Sequence, residues 1–268
     1  MEIGISTASL FGRYFTEETF EPMREIGAKV AEVFFATHSE YTDDFANIVN
    51  EKRGDIKIHS IHALTTQFEP DIFNLNPRTR KDAEAIARNV LSAGNVIGAK
   101  YYTFHGAALL KRTKYRYDYD FLSERVNNLI NICKEYGIEL CYENVHWAHF
   151  SHPEFFENLK DRCPSLKTCL DIKQAKQSGI DYTEFLNVMG DRLRTVHLCD
   201  YLDDGELAIP GRGVFDFVTL FKRLRDAGFN GACLVEVYTK NYKELSELKD
   251  SYEYVLERAD KAGVKLDF

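Results

Sequence analysis

Short apolar or β-branched runs alternate along the chain with longer amphipathic stretches, the pattern of parallel strands joined by helical crossovers. Eight such runs occur, at residues 3–7, 31–35, 56–62, 101–105, 138–145, 167–172, 194–199 and 232–238. Between the fourth and fifth, Leu122, Val126, Leu129, Ile130 and Cys133 recur at helical spacing and predict a helix lying on a sheet. Pro77 after Asn76 and Pro153 after His152 mark helix starts, where the missing N–H would be unpaired in any case. The run Thr16-Glu17-Glu18 predicts another capped, acidic first turn. Gly27, Gly98, Gly137 and Gly228 each stand just before a strand and predict left-handed helix ends. The tetrapeptide Ile-Gly-Ala-Lys, present at 26–29 and again at 97–100, reads as a repeat of that cap.

No linker or low-complexity tract divides the 268 residues, and a barrel with its outer helices needs roughly 250. The expectation is therefore an α/β protein, a single (β/α)8 TIM barrel domain over 1–268. A charged, Tyr-rich stretch at 111–120 predicts a lid or solvated loop after the fourth strand.

Composition narrows the functional classes. No apolar run approaches the ~18 residues of a membrane span, and the first residues show no export signal, so neither membrane nor secretion is expected. Six cysteines without a C-x-x-C pair read as reduced core thiols, which places the expectation in the cytoplasm. A formal charge of −8 argues against a nucleic-acid partner. The 13% aromatic content allows a homo-oligomer.

Candidate chemistry lies at the ends of the last four runs, with Glu143, Asp171, His197 and Glu236 spaced about one β/α unit apart. In a barrel these positions share one rim, the carboxyl-end face where active sites of this fold gather. Strand alternation turns each inward with the residue two before it. Three ionised carboxylates and an imidazole converging in a low-dielectric interior require a cation. Three oxygens and one nitrogen suit one divalent metal ion such as Mn²⁺, Mg²⁺, Co²⁺ or Zn²⁺.

The motifs Tyr142-Glu143-Asn144, Leu170-Asp171-Ile172, Thr195-Val196-His197-Leu198, Ile209-Pro210-Gly211-Arg212-Gly213 with Asp216-Phe217, and Val235-Glu236-Val237 resemble the xylose isomerase-like barrel superfamily. The resemblance covers the chain and points to sugar epimerases, hydroxypyruvate isomerases and inosose-processing enzymes. It implies that Glu143, Asp171, His197 and Glu236 hold the metal and that Glu143 and Glu236 are the catalytic acid and base. It also implies substrate contacts by histidines at strand ends, here His62 and His105. Trp147 is a candidate lid on the apolar face of a sugar. Gln174, standing where many members have a histidine, is expected to hydrogen-bond a substrate hydroxyl, and Arg212, the nearest basic residue behind His197 and set between two glycines that permit close approach, to hold an anionic or carbonyl oxygen of the substrate. His59 shares strand three with His62; His38, His146, His149 and His152 fall in loops and read as solvated side chains.

The implied activity is metal-dependent isomerisation or epimerisation of a sugar or polyol ketone, by glutamate-mediated proton transfer through a metal-stabilised enediolate. An alternative is a dehydratase or lyase acting on an inosose or C-linked keto-glycoside. An endonuclease IV-like nuclease is disfavoured by Gln174 and the acidic balance. A non-catalytic barrel is disfavoured by the complete ligand set.

Overall fold

Strands buried on both faces need no polar alternation, which is why they read as short unbroken apolar runs. A computed structural model describes residues 1–64, 68–109 and 116–266. Eight parallel strands close into a barrel: β1 (Glu2–Ser6), β2 (Val30–Phe35), β3 (Lys57–Ala63), β4 (Tyr101–Phe104), β5 (Glu139–Glu143), β6 (Lys167–Asp171), β7 (Leu193–Leu198) and β8 (Ala232–Val235). Each pairs with its sequence neighbour, and β8 returns to β1 with Glu2 opposite Ala232 and Ile5 opposite Val235. Contacts beyond the strands reinforce this seam. Ser9 donates to Val235 O at 3.0 Å, and Arg13 donates to the carbonyls of Thr239, Tyr242 and Lys243.

The α-helices of the described residues are α1 (Phe20–Ile26), α2 (Asp43–Arg53), α3 (Pro77–Val96), α4 (Tyr119–Glu135), α5 (Pro153–Leu159), α6 (Ile172–Gln177), α7 (Tyr182–Met189) and α8 (Phe217–Asp226) in the crossovers, and α9 (Leu245–Lys261) after the last strand. Both proline starts fall at the first residue of α3 and α5. Gly27 ends α1 at φ 94°, a left-handed value that favours glycine. The expected α4 stripe is buried from Leu122 through Cys133. One start differs: Thr16–Glu18 forms a separate 3₁₀ turn, and α1 begins only at Phe20. The Glu18 carboxylate accepts from its own turn's Phe15 N at 3.1 Å, which closes that turn before the helix starts. Of the expected lid, residues 111–115 lie outside the described residues, and 119–120 already belong to α4.

Inside the barrel, Val30, Ala232 and Leu234 form a small apolar cluster separate from the main core between strands and helices. His59 lies at this lower level, its Nε2 3.0 Å from Thr195 Oγ1 and its ring 4.7 Å from that of Tyr101. Burial pushes its pKa down to about 4. Near the opposite rim, residues Asp200–Tyr201 and Leu207–Ala208 form an antiparallel ribbon after β7. The buried Asp200 carboxylate accepts from the amides of Tyr201, Gly211, Gly213 and Phe215, at 2.8 to 3.0 Å, and so shapes the whole Pro-Gly-Arg-Gly loop. All six cysteines are buried free thiols, and among the described residues no helix is long and apolar enough to cross a membrane.

Candidate active site

Parallel pairing sets the height of each strand end. Asp171 lies opposite His197, and Glu143, opposite Cys169 two residues earlier on β6, still brings Oε1 within 3.0 Å of His197 Nδ1. Glu236 is the residue after β8, yet its amide still donates to Leu198 O at 2.9 Å and holds it in line. One potential ligand atom from each of Glu143, Asp171, His197 and Glu236 lies within 4.8 Å of the others, and all four residues are buried. His197 Nδ1 is 3.0 Å from Glu143 Oε1, 3.3 Å from Glu236 Oε2 and 3.9 Å from Asp171 Oδ2.

The donor set suits a divalent ion on grounds of its own electrostatics. Glu143 Oε2, Asp171 Oδ2 and Glu236 Oε2 are buried and receive no hydrogen bond, although cationic groups lie within ion-pair range. Buried acceptors left in this state are costly, and a cation bound among them removes the cost. Burial, with the negative charges of Glu143 and Glu236 beside it, pushes Asp171 up to about 6 despite Lys173. Burial also raises Glu143, but the charges of His105 and His197 outweigh it and bring the carboxyl down to about 2.

Two further histidines join the cluster. His62 Nε2 and His105 Nε2 are 2.7 Å apart, and His105 Nε2 is 3.1 Å from Glu143 Oε2. Gly106 holds the strand end in a left-handed turn at φ 77°; a Cβ there would lie 2.0 Å from Tyr142 Oη. Trp147 stacks on the His105 ring, with centroids 5.9 Å apart and planes at 23°. Gln174 is buried beside the cluster, but its Oε1 is taken by the amide and Nδ1 of His146, at 3.2 and 2.6 Å. The structure does not bring Arg212 to the cluster. Its guanidinium is half exposed and pairs with Glu247 on α9 at 3.3 Å, because Asp200 turns the loop toward that helix. His38 and His152 are exposed, while His149 is half-buried and held down to about 4 by burial.

Three charged residues that the sequence reading passed over complete the site. Glu69, in the 3₁₀ segment before α3, accepts from Tyr102 Oη at 2.6 Å and from the amides of His105 and Gly106. It also lies 3.2 Å from His105 Nδ1. Lys173 is 3% exposed, with Nζ 3.1 Å from Glu236 Oε1 and 3.2 Å from Asp171 Oδ2. Glu32 on β2 is fully buried beneath His197 and His62.

Comparison with known proteins adds the relationship. A family model described as a xylose isomerase-like TIM barrel matches residues 20–262. The chain belongs to the xylose isomerase-like TIM barrel family. By sequence, the chain is 26% identical over 254 residues to the uncharacterized protein MJ1188 of Methanocaldococcus jannaschii, covering 88% of each. It is 27% identical over 139 residues to an inosose dehydratase of Geobacillus kaustophilus, 44% of this chain and 45% of that one. Among solved structures of this barrel type, D-psicose 3-epimerase from Clostridium cellulolyticum H10 superposes with a TM-score of 0.78 at 16% identity, covering 99% of this chain and all of that one. The IOLI protein with a bound zinc atom superposes with a TM-score of 0.79 at 16% identity, covering 98% and 99%. At these identities the structural likeness speaks to the fold.

Proposed function

We propose that this family member is a metal-dependent enzyme that moves a proton at the carbon beside the carbonyl of a sugar or polyol ketone, and so acts as an isomerase or epimerase. The observation that carries the reading is the buried meeting of Glu143, Asp171, His197 and Glu236, with three carboxylate oxygens aimed at a common space and no hydrogen bond to satisfy them. Its family membership and the likeness to an epimerase and to a zinc-containing barrel support it. When bound, a divalent ion supplies Lewis-acid polarisation of the substrate's oxygens.

The protein's own groups do the rest. Lys173 holds Oε1 of Glu236, leaving Oε2 directed at the centre of the site. Glu143 lies between two imidazoles, with Oε1 3.0 Å from His197 Nδ1 and Oε2 3.1 Å from His105 Nε2. One glutamate takes the proton next to the carbonyl; its return to the former carbonyl carbon, with the hydroxyl proton passing to the other oxygen, gives isomerisation, and delivery by the other glutamate to the opposite face of the original carbon inverts it. His62 and His105 offer ring nitrogens to substrate hydroxyls, and Trp147 offers an apolar plane. Gln174, turned to His146, orients that loop residue at the rim.

The test is incorporation of solvent deuterium into a panel of ketoses, inososes and hydroxypyruvate by metal-loaded and metal-stripped protein. Exchange at carbon only with metal, abolished in Glu236→Gln while the fold persists, is the expected result. Full exchange in that variant defeats the proposed acid/base pair. A second reading, dehydration of an inosose, is favoured by the partial match to inosose dehydratase. It uses the same base and is recognised by the ultraviolet absorbance of a conjugated ketone product.

A further inference from the structure

Glu32 is a carboxylate with no solvent exposure inside the barrel, a placement that needs compensating partners. Three hydroxyls from three strands supply part of the compensation. Ser60 Oγ and Thr103 Oγ1 both donate to Oε2 at 2.7 Å, and Ser6 Oγ donates to Oε1 at 3.3 Å. The first two fix the fork, so Oε1 has one direction to face. That direction holds two imidazoles, with His197 Nε2 at 3.1 Å and His62 Nδ1 at 3.5 Å.

We infer that Glu32 is the positioning residue of the metal centre: it holds His197, and with it His62, in the orientation and tautomer that metal binding requires. The inference rests on the metal-dependent reading above and extends it to a residue outside the four ligands. His197 has two ring nitrogens with opposite surroundings. Nδ1 faces Glu143, Asp171 and Glu236, whereas Nε2 faces Glu32. A neutral imidazole carries one N–H. With the proton on Nε2, that nitrogen stands 3.1 Å from Glu32 Oε1 in an ion-pair contact, and a cation entering among the ligands replaces the Nδ1 contact to Glu143 Oε1 and takes the Nδ1 lone pair. The reversed tautomer sets the Nε2 lone pair against a carboxylate lone pair and blocks the ligand nitrogen with a proton. Glu32 therefore selects the first arrangement, as carboxylate partners of ligating histidines generally do. Ser60 and Thr103 pass the constraint to β3 and β4, so the carboxylate joins strands on both sides of the barrel to His197 on β7.

The experiment uses the full chain stripped of metal and titrated with Co²⁺, whose visible absorption reports ligand geometry. Wild type is expected to bind one ion, with a spectrum lost in His197→Ala. Glu32→Ala is expected to weaken Co²⁺ binding 10- to 100-fold and to shift the visible band, and Glu32→Gln to fall between. The paired change Ser60→Ala with Thr103→Val retains the carboxylate but frees it, and is expected to weaken binding several-fold; it serves if Glu32→Ala fails to fold. A purely structural Glu32 would lower the melting temperature of these variants while leaving affinity and spectrum unchanged, which overturns the inference alone. If wild type binds no Co²⁺, or His197→Ala binds it equally well, the metal-dependent reading falls and takes this one with it.

Discussion

Replacing Lys173 by Met removes the buried ammonium between Asp171 and Glu236 while keeping much of its volume. At 3.2 and 3.1 Å, and with an effective dielectric constant of about 20, each attraction is worth about 5 kcal/mol gross. Sparing the ammonium its desolvation returns several kcal/mol, and breaking one side of a buried ion pair typically costs about 3–5 kcal/mol net. Taking about 4 kcal/mol, and about 2.1 cal/mol/K of unfolding entropy for each of the 268 residues, the melting temperature should fall by roughly 7 °C. The assay is thermal unfolding followed by circular dichroism in chelator, repeated with saturating Mn²⁺. A divalent ion restores the missing positive charge, so added Mn²⁺ should raise the variant's melting temperature by several degrees more than wild type's. A variant within a degree of wild type in chelator, or one with the same Mn²⁺ increment, would refute the claim that the ammonium and the metal site share one electrostatic balance.

Other expectations follow from groups outside that balance. His59 titrates at about 4 because burial opposes its charge, so the unfolded chain binds its proton first as pH falls from the ordinary value near 6.5. Its stabilising contribution, about 3 kcal/mol, is present above pH 6.5 and lost on acidification toward pH 4. Urea unfolding of metal-free protein should show that slope in wild type and a shallower one in His59→Gln; equal slopes would contradict the assignment. Asp200→Asn sets an NH₂ against backbone N–H donors and should cost the loop about 2 kcal/mol. Limited proteolysis within 202–206 should then quicken at least tenfold, with unchanged cleavage counting against the organising role of this carboxylate.

The eight strands and the inward direction of Glu143, Asp171, His197 and Glu236 were legible because burial on both faces leaves continuous apolar runs, and strand alternation fixes which side chains share a face. What escaped the reading had no such pattern. Glu32 stood inside the run 31–35, where an acid flanked by Val30, Ala31, Val33 and Phe34 was itself the available signal, since a two-sided buried strand tolerates a carboxylate only with partners. Glu69 lies in a short 3₁₀ segment without periodicity, and its link to His105 depends on how the chain folds back after β3. Lys173 sits at the junction of β6 and α6, where the period changes from strand to helix and spacing no longer tells direction. Arg212 is the converse case. Two flanking glycines suggested an approach to substrate, whereas the loop's shape follows from Asp200, eleven residues before Gly211.

The seam between the first strand and the eighth has a kinetic consequence. Glu236 emerges from β8, which pairs with β7 along one edge and, along the other, with β1, more than two hundred residues earlier in sequence. Loop closure over such a span is among the slowest steps available to a folding chain. Every intermediate with an open seam therefore leaves β8 as an edge strand supported by β7 alone, and tight metal capture should coincide with the last closure, not with the collapse that precedes it.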